Sequence, residues 1–237
     1  MIHDNVKSVR QKIANACEKV GRNADDVELV CVTKEVSIDE IKEALDAGVQ
    51  ILGENRVKDA LSKYKAIGGR QEWHFIGHLQ TNKVKDAVRI FSLIHSVDSL
   101  RLAKEIDKAA QAINKAQDIL IQVNTSGEKT KFGIMPEEAI DFMKEISSYG
   151  NINTKGLMTI APEVDDPEKV RPYFRALREL RDKINELRYS AKQSEASSKG
   201  TKYEIRILSM GMTNDFEVAI EEGANMVRIG KAIFRGN

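Results

Sequence analysis

Lys34 ends an apolar run, LVCVTK, and shares strand parity with Val30 and Val32. If the two valines face the inside of a closed sheet, Lys34 faces inward too, at its mouth. A lysine at an apolar rim loses hydration, which favours the neutral amine. That amine is the form that attacks an aldehyde to make a Schiff base. A simpler alternative stays open: Lys34 snorkels to water or merely begins a loop. Two glycine-bearing turns could seat a phosphate. LSMGMTNDF places Ser209, Gly211 and Thr213 between a strand and a helix start, and VRIGKAIF places Gly230 before a short helix. Backbone N–H groups there suit a dianion, and glycine permits close approach. Either turn alone is equally well explained as a tight turn. Arg228 precedes Gly230 by two positions and so shares its strand face. Its guanidinium is a permanent donor with no acceptor. A salt bridge at the mouth, for instance with Glu54, would explain it as well.

These residues need strands to hold them at one end of a sheet. Eight short apolar, β-branched runs recur: 27–33, 49–52, 72–77, 91–97, 118–124, 154–161, 203–209 and 225–230. Most are followed by helical patterns, and such alternation points to parallel βαβ units. Eight units predict a closed (β/α)8 TIM barrel, with an open doubly wound sheet as the alternative. In such barrels the active face lies at the C-terminal strand ends. Here those ends carry Lys34, Glu54-Asn55, His78, Ser96, Asn124, Thr159, Ser209-Met210 and 228–230. Loops are polar anyway, which accounts for any one of these better than for the set.

The helices carry their own signals. Ser37-Ile38-Asp39-Glu40 reads as a capping box, with Ile38, Ile41 and Leu45 on one face and Gly48 as the stop. Asp166-Pro167 reads as an N-cap followed by proline at the first helical position. Val170, Phe174, Leu177, Ile184 and Leu187 stripe the long helix that follows. Thr213 is expected to cap a helix over 214–222. Residues 2–20 form an extra amphipathic helix ahead of the first strand. The polar stretch 190–200 lacks apolar surface to offset its ordering entropy and reads as a mobile loop. The whole chain, 1–237, is expected to form one domain.

Composition narrows the partners. With 37 basic and 36 acidic residues, the net charge of +1 predicts neither a nucleic-acid nor an anionic-membrane partner. The 5% aromatic content weakens any case for base stacking. No stretch reaches the roughly 20 apolar residues of a membrane span. The opening MIHDNVKSVRQK lacks the apolar core of a signal peptide. Cys17 and Cys31 read as buried, inert thiols, so a cytoplasmic location is expected. The four histidines, His3, His74, His78 and His95, show no metal-ligand spacing, and hydrogen-bonded structural roles are expected for His74 and His78.

Seven segments carry a resemblance. VTK (32–34), GENRV (53–57), WHFIGHLQTNK (73–83), SVDS (96–99), GLMTIAP (156–162), LSMGMTNDF (208–216) and VRIGKAIF (227–234) appear in the order found in the pyridoxal phosphate homeostasis protein family. That family resembles the N-terminal barrel of alanine racemase. WHFIGHLQTNK and the LSMGM segment are the specific ones. The resemblance implies pyridoxal 5′-phosphate (PLP) as a Schiff base on Lys34. It implies phosphate contacts near Ser209, Met210, Gly211 and Gly230, Arg228 at the pyridine nitrogen, and Asn55 beside the cofactor. A guanidinium placed there would keep that nitrogen unprotonated and the ring a poorer electron sink, as suits storage. Thr213 stands where a serine is common, and Arg235 where glycine is usual.

The resemblance implies an intracellular PLP carrier of vitamin B6 homeostasis, not an enzyme. PLP-requiring apo-enzymes are the expected partners, and a monomer is the expected state. Two other functions compete. A low-activity PLP-dependent amino-acid racemase would need a further acid/base group, for which His78 or Thr159 could serve. No second domain of the alanine racemase kind follows Asn237 in this sequence, so efficient two-base racemisation is not expected. A Schiff-base aldolase acting on a sugar phosphate would also use a lysine and phosphate seats, but the extended motif match argues against it.

Overall fold

The computed structural model describes residues 1–194 and 205–236. Eight parallel strands close into a barrel in sequence order, which decides for closure over the open sheet. They are β1 (Glu28–Val32), β2 (Ile51–Glu54), β3 (Glu72–Phe75), β4 (Leu93–Val97), β5 (Gln117–Gln122), β6 (Ile152–Met158), β7 (Ile207–Ser209) and β8 (Met226–Ile229). Helix α1 (Ile2–Lys19) precedes the barrel. The crossovers hold α2 (Ile38–Asp46), α3 (Val57–Ile67), α4 (Val84–Ile90), α5 (Leu100–Gln111), α6 (Ala139–Ile146), α7 (Arg171–Ser194) and α8 (Phe216–Glu221), and α9 (Lys231–Phe234) follows β8.

Strand alternation splits the core in two. Val30, Ile51, Leu93, Leu120, Met158 and Met226 pack against one another as a small cluster inside the barrel. The far larger cluster lies between sheet and helices, where Trp73, Phe75 and Phe91 are fully buried. Val6, Val9, Ile13 and Cys17 of α1 join it, as the amphipathic reading of that helix required.

The local signals mostly hold. Ser37 and Glu40 form the reciprocal capping box that starts α2. The Asp166 side chain accepts from the Glu168 amide, with Pro167 next in line. Thr213 does not cap α8. That helix begins later, after Asp215, whose carboxylate instead accepts from the Met212 amide at 2.5 Å and closes the turn after β7. Leu187 is exposed, whereas Val170, Phe174, Leu177 and Ile184 are buried, so the apolar stripe of α7 ends one turn early. Of the expected loop 190–200, residues 190–194 continue α7, and the rest lies outside the described residues. The Glu222 carboxylate, buried at the end of α8, gathers Arg171, Arg175 and Arg178 from α7 and ties the two helices together.

Candidate functional site at the barrel mouth

The barrel's closure puts the candidate residues on four consecutive strands. Val30 pairs with Arg228, which seats β1 beside β8. The Arg228 amide donates to the Gly211 carbonyl at 3.0 Å, which joins β8 to the turn after β7. On the other side Val32 pairs with Gly53, two residues before Asn55. Thus Ser209–Gly211, Arg228–Gly230, Lys34 and Asn55 form one arc of the mouth, in the strand order β7, β8, β1, β2.

Lys34 occupies the turn immediately after β1 and is exposed. The dehydrated apolar rim expected from the sequence is therefore not its setting. The backbone around it is held from behind. Lys63 of α3 donates to the Thr33 carbonyl at 2.5 Å and to Glu54 at the same distance. The Thr33 hydroxyl donates to Glu54 at 2.7 Å. Glu54 is fully buried in this cluster, so the alternative pairing with Arg228 does not form.

Arg228 is 3% exposed. Its Nη1 donates to Ser209 Oγ at 2.7 Å and its Nη2 to the Thr159 carbonyl at 2.9 Å. Thr159 is fixed in turn, its hydroxyl donating to the Val123 carbonyl and lying 3.0 Å from Thr125 Oγ1. Both acceptors of Arg228 are neutral, and no salt bridge to it forms among the described residues. Burial pulls the Arg228 pKa down to about 10, with Asp215 acting against the shift. The group still carries its charge at neutral pH. Burying a guanidinium without a carboxylate in contact costs several kcal/mol (roughly), and among the described residues Arg228 bonds no anionic acceptor. A site built this way suits an acceptor brought by a ligand.

The glycine turns lie on either side. Gly211 has φ +93°, and a Cβ there would sit 2.6 Å from Ala219 Cβ and 2.9 Å from Phe216 Cα. At Gly230 a Cβ would stand 3.0 Å from the Val32 carbonyl oxygen, two residues before Lys34. Asn55 lies under Gly77, where a Cβ would come 2.3 Å from the Asn55 carbonyl oxygen. Ser209 and Met210 are fully buried.

The remaining polar strand ends do other work. Asn124 organises its own loop, accepting from Ser126 and Gly127 and donating to the Glu128 carbonyl. His78 is exposed, 3.6 Å from Asp98, and its ring stacks on exposed Phe132. Sequence reasoning missed His95, which lies fully buried between Ser209 and His74. Its one legible signal is its position two residues after inward Leu93. The hydrogen-bonded structural role read for His74 is borne out.

The alanine racemase N-terminal domain family matches residues 5–237. A pyridoxal phosphate homeostasis protein of Aquifex aeolicus is 44% identical over 234 residues, which cover 98% of this chain and 96% of that protein. The chain belongs to the pyridoxal phosphate homeostasis protein family. A second such protein, from Vibrio alginolyticus, is 34% identical across 98% of this chain and 96% of its own length. Among solved structures, PipY of Synechococcus elongatus with PLP bound is 28% identical with a TM-score of 0.83, covering 99% of this chain and 100% of PipY. The alanine racemase of Clostridium difficile shares the fold at 16% identity and a TM-score of 0.71, and this chain spans 58% of it. Family membership confirms both the resemblance and the (β/α)8 barrel of the alanine racemase N-terminal type.

Proposed function

We propose that this chain binds PLP through a Schiff base on Lys34 and serves PLP homeostasis as a carrier, not as an enzyme. The observation that carries the reading is Arg228: a buried guanidinium with neutral partners, one strand from Lys34 and between two tightly packed glycine turns. Bound there, PLP supplies an aldehyde for imine chemistry and an electron-accepting ring. Lys34 offers its amine from the exposed turn, and Asn55 follows the neighbouring strand β2. Ser209, Met210, Gly211 and Gly230 hold the phosphate through turns where backbone N–H groups approach a dianion closely. Arg228 donates to the ring nitrogen and, having no lone pair to accept with, keeps that nitrogen unprotonated. An unprotonated ring withdraws electrons weakly, which favours holding the cofactor over driving carbanion chemistry.

Buried thiols at Cys17 and Cys31 suit a reducing cytoplasm. Burial pushes the Cys31 thiol up to about 12, which leaves it inert. No helix among the described residues is long and apolar enough to cross a membrane. On this reading the protein works as a monomer and passes PLP to apo-enzymes.

Titrating the purified protein with PLP tests the reading. A yellow complex should form at one equivalent and fade as an apo-enzyme takes the cofactor. A protein that stays colourless would refute PLP binding. Chiral analysis after incubation with a panel of amino acids tests the carrier role. Racemisation at about one turnover per second or faster, an ordinary enzyme rate, would make it a racemase instead.

A further inference from the structure

A line of polar contacts crosses the barrel from the start of β3 to the mouth at β8. Glu72 Oε2 lies 3.5 Å from His74 Nε2. His74 Nδ1 lies 3.1 Å from His95 Nε2, and His95 Nδ1 lies 2.9 Å from Ser209 Oγ. Arg228 then donates to Ser209 Oγ. The two histidines, Ser209 and Arg228 are all buried, whereas the Glu72 side chain is 63% exposed at the face opposite the mouth.

The two ends of this line dictate where its protons sit. A guanidinium only donates, so Ser209 Oγ accepts from Arg228. Among the described residues, the hydroxyl proton of Ser209 then has His95 Nδ1 as its acceptor. His95 must carry its own proton on Nε2 and donate it to His74 Nδ1. His74 carries its proton on Nε2, facing Glu72. Starting from Glu72 gives the same assignment for a neutral His74, because a carboxylate only accepts. The reverse polarity would aim both His95 and Arg228 protons at Ser209, whose own proton would then lack a partner in the line. Burial above all, with the Arg228 charge beside it, holds the His95 pKa well below its ordinary value, so His95 stays neutral.

We propose that Glu72, His74, His95 and Ser209 are positioning residues forming a one-directional relay that orients the Arg228 guanidinium toward the ligand and balances its charge from the opposite face of the barrel. The ligand half of this proposal rests on Arg228 meeting the ring nitrogen of PLP; the proton assignment does not.

Nitrogen-15 NMR of the imidazoles in the full, ligand-free chain tests the direction, with His95→Gln assigning the His95 signals. The expected result is the Nε2–H tautomer for both His74 and His95. An Nδ1–H tautomer at His95 would overturn the relay, and the wild-type spectrum alone decides the point should a variant fail to fold. PLP titrations of Glu72→Ala, His95→Gln and the double variant test the coupling. Each single change should weaken binding by about threefold to tenfold, and the double variant should bind no worse than His95→Gln, because the line is already cut. Additive losses, or no loss from Glu72→Ala, would contradict it. Wild-type protein that takes up no PLP would overturn the ligand half, and the tautomers alone would then decide the relay.

Discussion

Replacing Lys34 by alanine should abolish the visible complex and raise the dissociation constant for PLP by about 100-fold or more, roughly 2.7 kcal/mol. The loss should be this large because an imine adds a covalent bond to what the phosphate and ring contacts provide. Little else should change. Lys34 is exposed in its turn, while the neighbouring backbone is held by Lys63, Glu54 and Thr33. Stability to urea should therefore stay within about 0.5 kcal/mol of the parent. Lys34→Arg keeps the charge but cannot form the imine, and it should fail in the same way. Absorbance titration of both variants reads the effect directly. A Lys34→Arg protein that still turned yellow would show that another amine carries the cofactor.

The second large effect is expected at Gly211. Alanine there meets two penalties: a positive φ that L residues rarely adopt, and a methyl group driven into Ala219 and the Phe216 backbone. Together they should cost about 2 to 4 kcal/mol, lowering the unfolding midpoint by about 5 to 15 °C in a chain of this size. Gly48 separates the causes. Its φ of +88° is similar, but a Cβ there meets nothing within 4 Å. Gly48→Ala should cost about 1 to 2 kcal/mol, strain alone. The Gly211 turn also seats the phosphate on the proposed reading. Gly211→Ala should therefore weaken PLP much more than pyridoxal, which lacks the phosphate. Equal weakening of the two would move the phosphate elsewhere. Calorimetry and paired titrations read both halves of this expectation.

Much of this arrangement is legible in the sequence because it is written locally. Apolar runs of strand length, the Ser37 capping box and the Asp166-Pro167 start each lie within a few residues, and the structure reproduces them. Strand limits are less legible. β2 begins at Ile51 and not at Val49, because pairing with β1 fixes where a strand starts. Thr213 has the right chemistry for a cap, but the neighbouring Asp215 takes the Met212 amide and moves the helix start.

Long-range pairings are the least legible. Nothing near Glu54 in the sequence points to Lys63 over Arg228; the packing of α3 against the sheet decides it. His95 and Ser209 meet across 114 residues, and only closure of the barrel brings them together. The exposure of Lys34 escapes the sequence for the same reason, since strand parity says which way a side chain starts out but not what surrounds its end.

The central claim is that one amine, at Lys34, carries the cofactor. Borohydride reduction of the PLP-loaded protein, followed by peptide mass mapping, tests it most directly. Lys231 is the informative rival: it is exposed and follows Gly230, beside the same proposed phosphate turn. The expected result is a single reduced adduct on the peptide containing Lys34. An adduct on Lys231, on Lys63, or on none of the lysines would contradict the claim.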